Sequence, residues 1–290
     1  MKFDIDKIKV PKGKDVSLKD YKTDYVGKYD KRTAKKALKK NVKKLAEVQE
    51  LFWADDRYSL LIIFQAMDAA GKDGAIRHVL SGINPQGCKV NSFKAPSDKE
   101  LEYSFIWRHY KVLPERGMIG IFNRSHYENV LVTKVHPEYI LGERIPEIDS
   151  LDKVNDEFWE ERYRMINNFE KEIHQNGTVI LKFFLNLSKD EQKQRFLDRL
   201  NEPDKNWKFS SGDLKERAYW DDYQKAYEEL LTKTSTDYAP WHVIPADKKW
   251  FSRIAIGKII TDTLYKLDMK FPEPENPQKL AEAKQSLLNE

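Results

Sequence analysis

Cysteine is nearly absent from this 290-residue chain, where Cys88 stands alone. A single thiol excludes an intramolecular disulfide and any metal cage built on cysteines, and its setting between Gly87 and Lys89-Val90 reads as an ordinary strand residue. Long apolar runs are missing too: no stretch approaches the roughly 20 apolar residues that a membrane-spanning helix needs. Met1-Lys2-Phe3-Asp4-Ile5-Asp6 lacks the apolar segment of a secretory signal, so the expectation is a cytoplasmic protein without membrane contact. Charge of one sign is not in excess either. The formal net charge of +4 is too small to argue by itself for a nucleic-acid partner. Internal repeats and low-complexity segments are also lacking. What is present, 40% hydrophobic residues over a length able to bury its own core, predicts one domain with extensions.

The densest signal lies between residues 60 and 80. Leu60-Leu61-Ile62-Ile63-Phe64 is an apolar run of strand type that empties into Gln65-Ala66-Met67-Asp68-Ala69-Ala70-Gly71-Lys72-Asp73-Gly74, with the helix-like Ala75-Ile76-Arg77-His78-Val79-Leu80 behind it. Strand, short turn and helix with a lysine at the tip is the arrangement of a phosphate-binding loop: backbone N–H groups and the helix N-terminus hold phosphate oxygens while the lysine neutralises them. The backbone of Ala70, Gly71, Lys72, Asp73 and Gly74 is therefore the expected cradle. Two positions depart from the usual pattern, Ala66 standing for glycine and Asp73 for serine or threonine. The plainer alternative is a tight strand-to-helix turn that needs Gly71 only for its backbone geometry.

Elsewhere the apolar spacing predicts strands alternating with helices. Residues 1–30 read as an irregular N-terminal extension over a surface, residues 31–268 as a single domain, and residues 269–290 as a partly helical C-terminal tail. A long amphipathic helix is expected from Lys31 to Phe52, with eight Lys/Arg and no acid between Lys31 and Lys44: a solvated face, or a basic wall that attracts a polyanion. Further strands are expected at Cys88–Ala95, Met118–Phe122, Thr178–Leu187 and Trp241–Pro245. Helices are expected from the capping box Ser97-Asp98-Lys99-Glu100 to about Leu113, behind residue 128, and over Asp152–Gln175, Ser210–Thr234 and Lys248–Leu267, with Ser188-Lys189-Asp190-Glu191 capping another. This alternation implies an α/β fold: a parallel sheet of about five strands, flanked by helices on both faces.

In such a sheet the ligand sits beyond the carboxyl ends of the strands. Those ends carry Asp68, Lys72 and Asp73; then Lys94; then Asn123, Arg124, His126 and Glu128. Asp68 and Asp73 are candidates to hold Mg²⁺ beside phosphates, although Asp73 equally suits the positive end of a helix and Asp68 a turn. Asn123 stands where such loops are usually partnered by an aspartate, so Glu128 is the candidate to supply the missing charge. His126 reads as a phosphate or backbone partner, since no second histidine nearby completes a metal site. Arg195, Arg199 and Lys208 punctuate a segment broken by Asn201-Glu202-Pro203-Asp204, which reads as a lid over about residues 195–214.

Taken with Asn84-Pro85-Gln86-Gly87, Ser92-Phe93-Lys94-Ala95-Pro96, Pro114-Glu115-Arg116-Gly117, Gly120 to Glu128, Arg195-Phe196-Leu197-Asp198-Arg199 and Trp207-Lys208-Phe209-Ser210, the chain from about Lys31 to Leu267 resembles the family-2 polyphosphate kinases. The resemblance implies a P-loop kinase-like fold with a helical lid, Mg²⁺ (with Mn²⁺ as a substitute), inorganic polyphosphate and adenine or guanine nucleotides as partners, no nucleic acid, and a dimer or tetramer. It places Asp68 on the metal, with Asn123 and Glu128 as further ligands through water, Lys72 on the phosphates and Arg124 in the catalytic set. Lys94, Arg108, Arg116, Arg195, Arg199 and Lys208 become phosphate contacts by position. Asn123 departs from the aspartate of many members and resembles the subgroup that accepts both nucleoside mono- and diphosphates. The implied reaction is in-line phosphoryl transfer between polyphosphate and AMP or ADP. The competing readings are an ATP-dependent nucleoside monophosphate kinase and a non-catalytic polyanion-binding protein.

Overall fold

The computed structural model describes residues 3–273 and 276–290, apart from the side chains of Lys205 and Lys208. Five strands, β1 (Ser59–Gln65), β2 (Cys88–Ser92), β3 (Ile119–Asn123), β4 (Thr178–Asn186) and β5 (Trp241–Pro245), form one sheet in the order β2-β3-β1-β4-β5. Every pairing is parallel. All seven residues of central β1 are buried, as the unbroken apolar run requires of a strand covered on both faces.

Alternation along β1 divides the core. Leu60, Ile62 and Phe64 face helices α1 (Lys31–Asp55) and α2 (Lys72–Val79), whereas Leu61 and Ile63 face helix α3 (Asp156–Gln175) on the opposite side. The chain continues through α4 (Lys189–Asn201), α5 (Ser211–Ala218), α6 (Trp220–Thr234) and α7 (Lys249–Leu264), the last packing beside α1 and α2, and the tail carries α8 (Pro277–Leu288). Asp30 caps α1 in a reciprocal box with Thr33, and Asp56 closes it in the left-handed region at φ 52°.

Three expected helices are interrupted. The Ser97–Glu100 capping box forms, but it opens only Asp98–Leu101; a second turn, Trp107–Tyr110, follows at a new angle and sends Arg108 back to the Lys94 carbonyl. Behind residue 125 the chain makes a 3-10 turn, His126–Val130, and two single α-turns, because the Ser125 hydroxyl caps the Tyr127 N–H and Pro137 has no N–H to continue a helix. The run from 210 to 234 is two helices that meet at Tyr219.

The N-terminal segment does more than lie on a surface. Phe3, Ile8, Val10, Val16 and Leu18 are buried, and Lys9 pairs antiparallel with His242 on β5. Val243 N–H donates to the Ile8 carbonyl and Val10 N–H to that of Trp241 at 2.9 Å, so the sheet's β5 edge is covered.

His242 itself gives the fold an acid-sensitive point. Burial holds its ring down to about 4, against an ordinary value of 6.5. The unfolded chain therefore takes up this proton first as pH falls below 6.5, and stability is lost progressively between pH 6.5 and 4, by up to about 3 kcal/mol. Urea unfolding at pH 7 and pH 5 should show a His242→Gln protein losing less stability than the parent over that interval. An equal loss in both would assign the acid sensitivity to other groups.

Candidate active site

A cleft of about 650 Å³ opens at the carboxyl ends of β1, β2 and β3. Its floor is the loop Ala66–Gly71. Ala69 (φ 62°) and Gly71 (φ 104°) are both left-handed, and that pair of turns points the chain into α2. The bond from Ala75 N–H to Gly71 O is the first of the helix, so the amides of Lys72, Asp73 and Gly74 have no partner within it and remain available to an anion.

Lys72 folds back across this loop, its Nζ donating to the Ala66 carbonyl at 2.9 Å. Burial, then the Arg124 cation, push its ammonium below the ordinary lysine value, while Asp68, Glu128 and Asp73 pull the other way. Arg124 closes the opposite wall. It holds φ 63°, a left-handed conformation unusual for a side chain with a Cβ, and its N–H donates to Phe64 O, which locks β3 to β1 at the strand ends. Its guanidinium bridges Glu128 (3.1 Å) and Asp68 (3.0 Å), carboxylates that hold it above its ordinary value. Beside them Asn123 Nδ2 donates to Asp73 at 2.7 Å, and Asn123 Oδ1 is buried without a partner. Asp68, Lys72, Asp73, Asn123, Arg124 and Glu128 thus gather around the loop, Arg124 bonded to Asp68 and Glu128, and Asn123 to Asp73.

Other expected contacts behave differently. Arg195, 4% exposed, gives its donors to Ala69 O and Ala70 O (3.0 and 2.8 Å), Ala246 O and Asp247 O (2.6 and 3.2 Å) and Glu191 (2.9 Å). It lines the cleft and clamps the outer side of the loop against β5's exit. Arg199 lines the cleft but pairs with Asp213 at 3.4 Å. Arg116 lies at the amino ends of the strands, donating to Arg57 O and Asn176 O, and is not brought to the site. His126 is not there either: fully buried, its Nε2 lies 3.3 Å from Glu170 in the core below, so the expected phosphate role does not fit its position. The Lys208 side chain lies outside the described residues. Lys94 stands exposed where β2 ends, and Arg108 stacks 5.1 Å over the Phe93 ring.

The cleft also has contributors absent from the sequence expectations. Lys249 and Arg253, one turn apart on α7, line it, and Arg253 makes no hydrogen bond or ion pair among the described residues. The signal was available: α7 follows the carboxyl end of β5, where the strand-end rule applies as it does after β1 and β3. A second cavity of about 710 Å³ adjoins the first and shares Phe93, Lys94 and Arg124 with it. Its walls are mostly apolar, with Phe105, Val132 and Tyr139 among them, and it is also lined by Thr133 and His109, whose hydroxyl and ring nitrogens are buried without partners. Among the described residues no cluster of three or more His, Cys, Asp or Glu forms a ready metal cage, and no helix is long and apolar enough to cross a membrane.

A family model described as polyphosphate kinase 2 matches residues 28–272. The chain is 49% identical over 291 residues to an ADP-polyphosphate phosphotransferase of Rhodopseudomonas palustris, covering 99% of this chain and 100% of that protein. It is 45% identical over 245 residues to an AMP/ADP-polyphosphate phosphotransferase of Meiothermus ruber, covering 84% of this chain and 86% of that one. The crystal structure of polyphosphate kinase 2 from Arthrobacter aurescens superposes with a TM-score of 0.88 at 40% identity, over 98% of this chain and 95% of the other.

Proposed function

The chain belongs to the polyphosphate kinase 2 family, and from that premise we propose that it transfers phosphoryl groups between inorganic polyphosphate and nucleotides, with AMP and ADP, and guanine nucleotides beside them, as acceptors. The observation that carries this reading is the junction of two unlike cavities at Lys94 and Arg124. The polar cleft, with the loop amides, Lys72 and Arg253, suits a run of phosphates; the apolar pocket, with Phe93 and Tyr139, suits a nucleoside. A phosphoryl group crossing between them passes Arg124.

The chemistry asks little of the protein in proton transfer. A terminal nucleotide phosphate oxygen is already anionic at neutral pH and attacks the end phosphorus in line, so alignment and neutralisation of charge remain to be supplied. Loop amides fix the chain end, Lys72 leaves Ala66 O to follow the charge, and Arg124, held by Asp68 and Glu128, keeps its guanidinium at the point of transfer. The segment over residues 195–214 acts as the lid, with the Arg199–Asp213 pair opening to free Arg199 for the phosphates.

Mg²⁺ fits this donor set: it usually takes one or two carboxylates and fills its remaining positions with phosphate oxygens and water. Asp68 and Asp73 would hold it, with Asn123 Oδ1, buried without a partner, beside them; Asp68 and Glu128 both pair with Arg124, and Asp68 lies on the loop itself. Bound there, it would supply positive charge to offset that of the phosphates.

ATP formation from ADP, and ADP or ATP formation from AMP, should appear with long-chain polyphosphate and Mg²⁺ and disappear with excess EDTA, Mn²⁺ restoring part of it. Phosphorylation of AMP by ATP with polyphosphate ignored would favour the nucleoside monophosphate kinase; no turnover in either assay would favour the binding protein.

A further inference from the structure

The phosphate cleft makes no use of the basic first half of α1. Eight cations stand exposed between Lys31 and Lys44, and among the described residues their one ion pair is Lys43–Glu47 at 3.8 Å. As a helix the stretch opposes its own chemistry. Like charges recur at i,i+4 from Lys31 through Lys35, Lys39 and Lys43, which repel on a helix surface. Lys31 and Arg32 occupy a first turn with no acid, where the helix dipole favours anions. The Asp30 capping box and the buried Ala34, Leu45, Val48 and Phe52 hold the helix against that repulsion. Packing does not require the cations, so the broken local rule points to an anionic ligand.

Position says which ligand. α1 runs down to the amino end of β1, and its 25 residues span about 37 Å at 1.5 Å each, against about 23 Å for the seven residues of β1. The basic half therefore lies toward the carboxyl edge of the sheet, where the cleft opens. Asn41 Nδ2 donates to Ile254 O on α7, next to Arg253, and Arg253 lines the cleft. No aromatic residue interrupts Lys31–Lys44, and the exposed Tyr265 ring 5.9 Å from Lys44 Nζ stands only at the end of the stretch, so the basic run has no row of stacking platforms of the kind with which proteins grip single-stranded nucleic acid. Repeated charge without base-reading groups fits a polymer of phosphates alone.

We propose that the basic half of α1 is an exosite for the distal part of a long inorganic polyphosphate chain, outside the transfer site. It rests on polyphosphate being the substrate and adds a second, length-dependent point of attachment.

The test is a Lys35→Gln/Lys36→Gln/Lys39→Gln/Lys40→Gln protein beside a control with the same charge change elsewhere, Lys171→Gln/Lys225→Gln/Lys279→Gln/Lys284→Gln. ADP phosphorylation is measured with polyphosphate of about a hundred units and with chains of four to six. The α1 variant should show a KM for the long chain raised about tenfold, with kcat and the short-chain KM unchanged. The slope of log affinity against log salt for the long chain should fall by about three, as counterion release at four contacts implies. No change, an equal change at both lengths, or the same change in the control would overturn the proposal. Displacement of long polyphosphate by single-stranded RNA at a lower concentration than by polyphosphate itself would also overturn it and assign the face to nucleic acid. If neither chain length is turned over by the parent protein, the phosphotransfer reading fails, and anisotropy titration with labelled long polyphosphate still decides the exosite.

Discussion

Replacing Lys72 with alanine should lower kcat by two to nearly four orders of magnitude, an increase in barrier of about 3–5 kcal/mol. The size follows from where the ammonium sits. It is half-buried, its charge is disfavoured by desolvation and by Arg124, and among the described residues its one hydrogen bond is to the Ala66 carbonyl. A cation in that position is poorly satisfied until phosphate oxygens arrive, and it is best satisfied when negative charge spreads over the transferring group. The fold should scarcely notice the change, since a loop carbonyl loses one donor. Steady-state kinetics with ADP and polyphosphate, set beside the thermal midpoint, check both halves. Near-normal turnover, or a collapse of stability that explains the loss, would remove Lys72 from the mechanism.

The largest expected effect on stability lies below the site. Lys182, in the middle of β4, and Glu170, on α3, are both fully buried and joined at 2.6 Å. Lys182 also donates to Tyr127 Oη (2.9 Å) and Thr234 O (2.7 Å), while Glu170 accepts from Tyr127 Oη at 2.6 Å with His126 at 3.3 Å. Lys182→Met leaves a carboxylate in the core with its cation gone, a loss of about 3–5 kcal/mol. For a chain of this length that lowers the melting midpoint by about 10 °C. Lys182→Met/Glu170→Gln, with neither charge present, should recover much of it. A single variant within about 1 kcal/mol of the parent, or a double variant worse than the single, would show that the pair is not coupled as drawn.

Legibility in the sequence followed the reach of local rules. Four of the strands were readable because each is a short apolar run between breakers, and β5 falls on Trp241–Pro245 as expected; β2, Cys88–Ser92, is mostly polar and ends three residues before the expected Ala95. Helix ends set by a capping side chain, at Asp98 and Lys189, were equally plain. What misled was continuity: the chain breaks near Tyr103 and at Tyr219, where no proline or glycine marks a break. At the site, Asp68, Lys72, Asp73, Asn123 and Arg124 were readable because they immediately follow strands. Arg195 and His126 carry phosphate-binding side chains, yet their partners, the carbonyls of residues 69 and 246 and the carboxylate of Glu170, come from other parts of the chain. Lys182 was itself a signal, a charge inside Val179-Ile180-Leu181-Lys182-Phe183-Phe184, which a buried strand admits only with an opposite charge opposite it.

The antiparallel seam between the N-terminal segment and β5 also sets a timetable. Val10, whose carbonyl accepts from the Ser235 hydroxyl, is made 225 residues before that partner. At about 5–20 residues per second of synthesis, this segment waits about 11–45 s for the strand that receives it. During that interval Phe3, Ile8 and Val10 are exposed greasy side chains on a nascent chain, open to chaperones and to neighbouring nascent chains. A segment made more than 200 residues before its partner strand must wait for it to find its place.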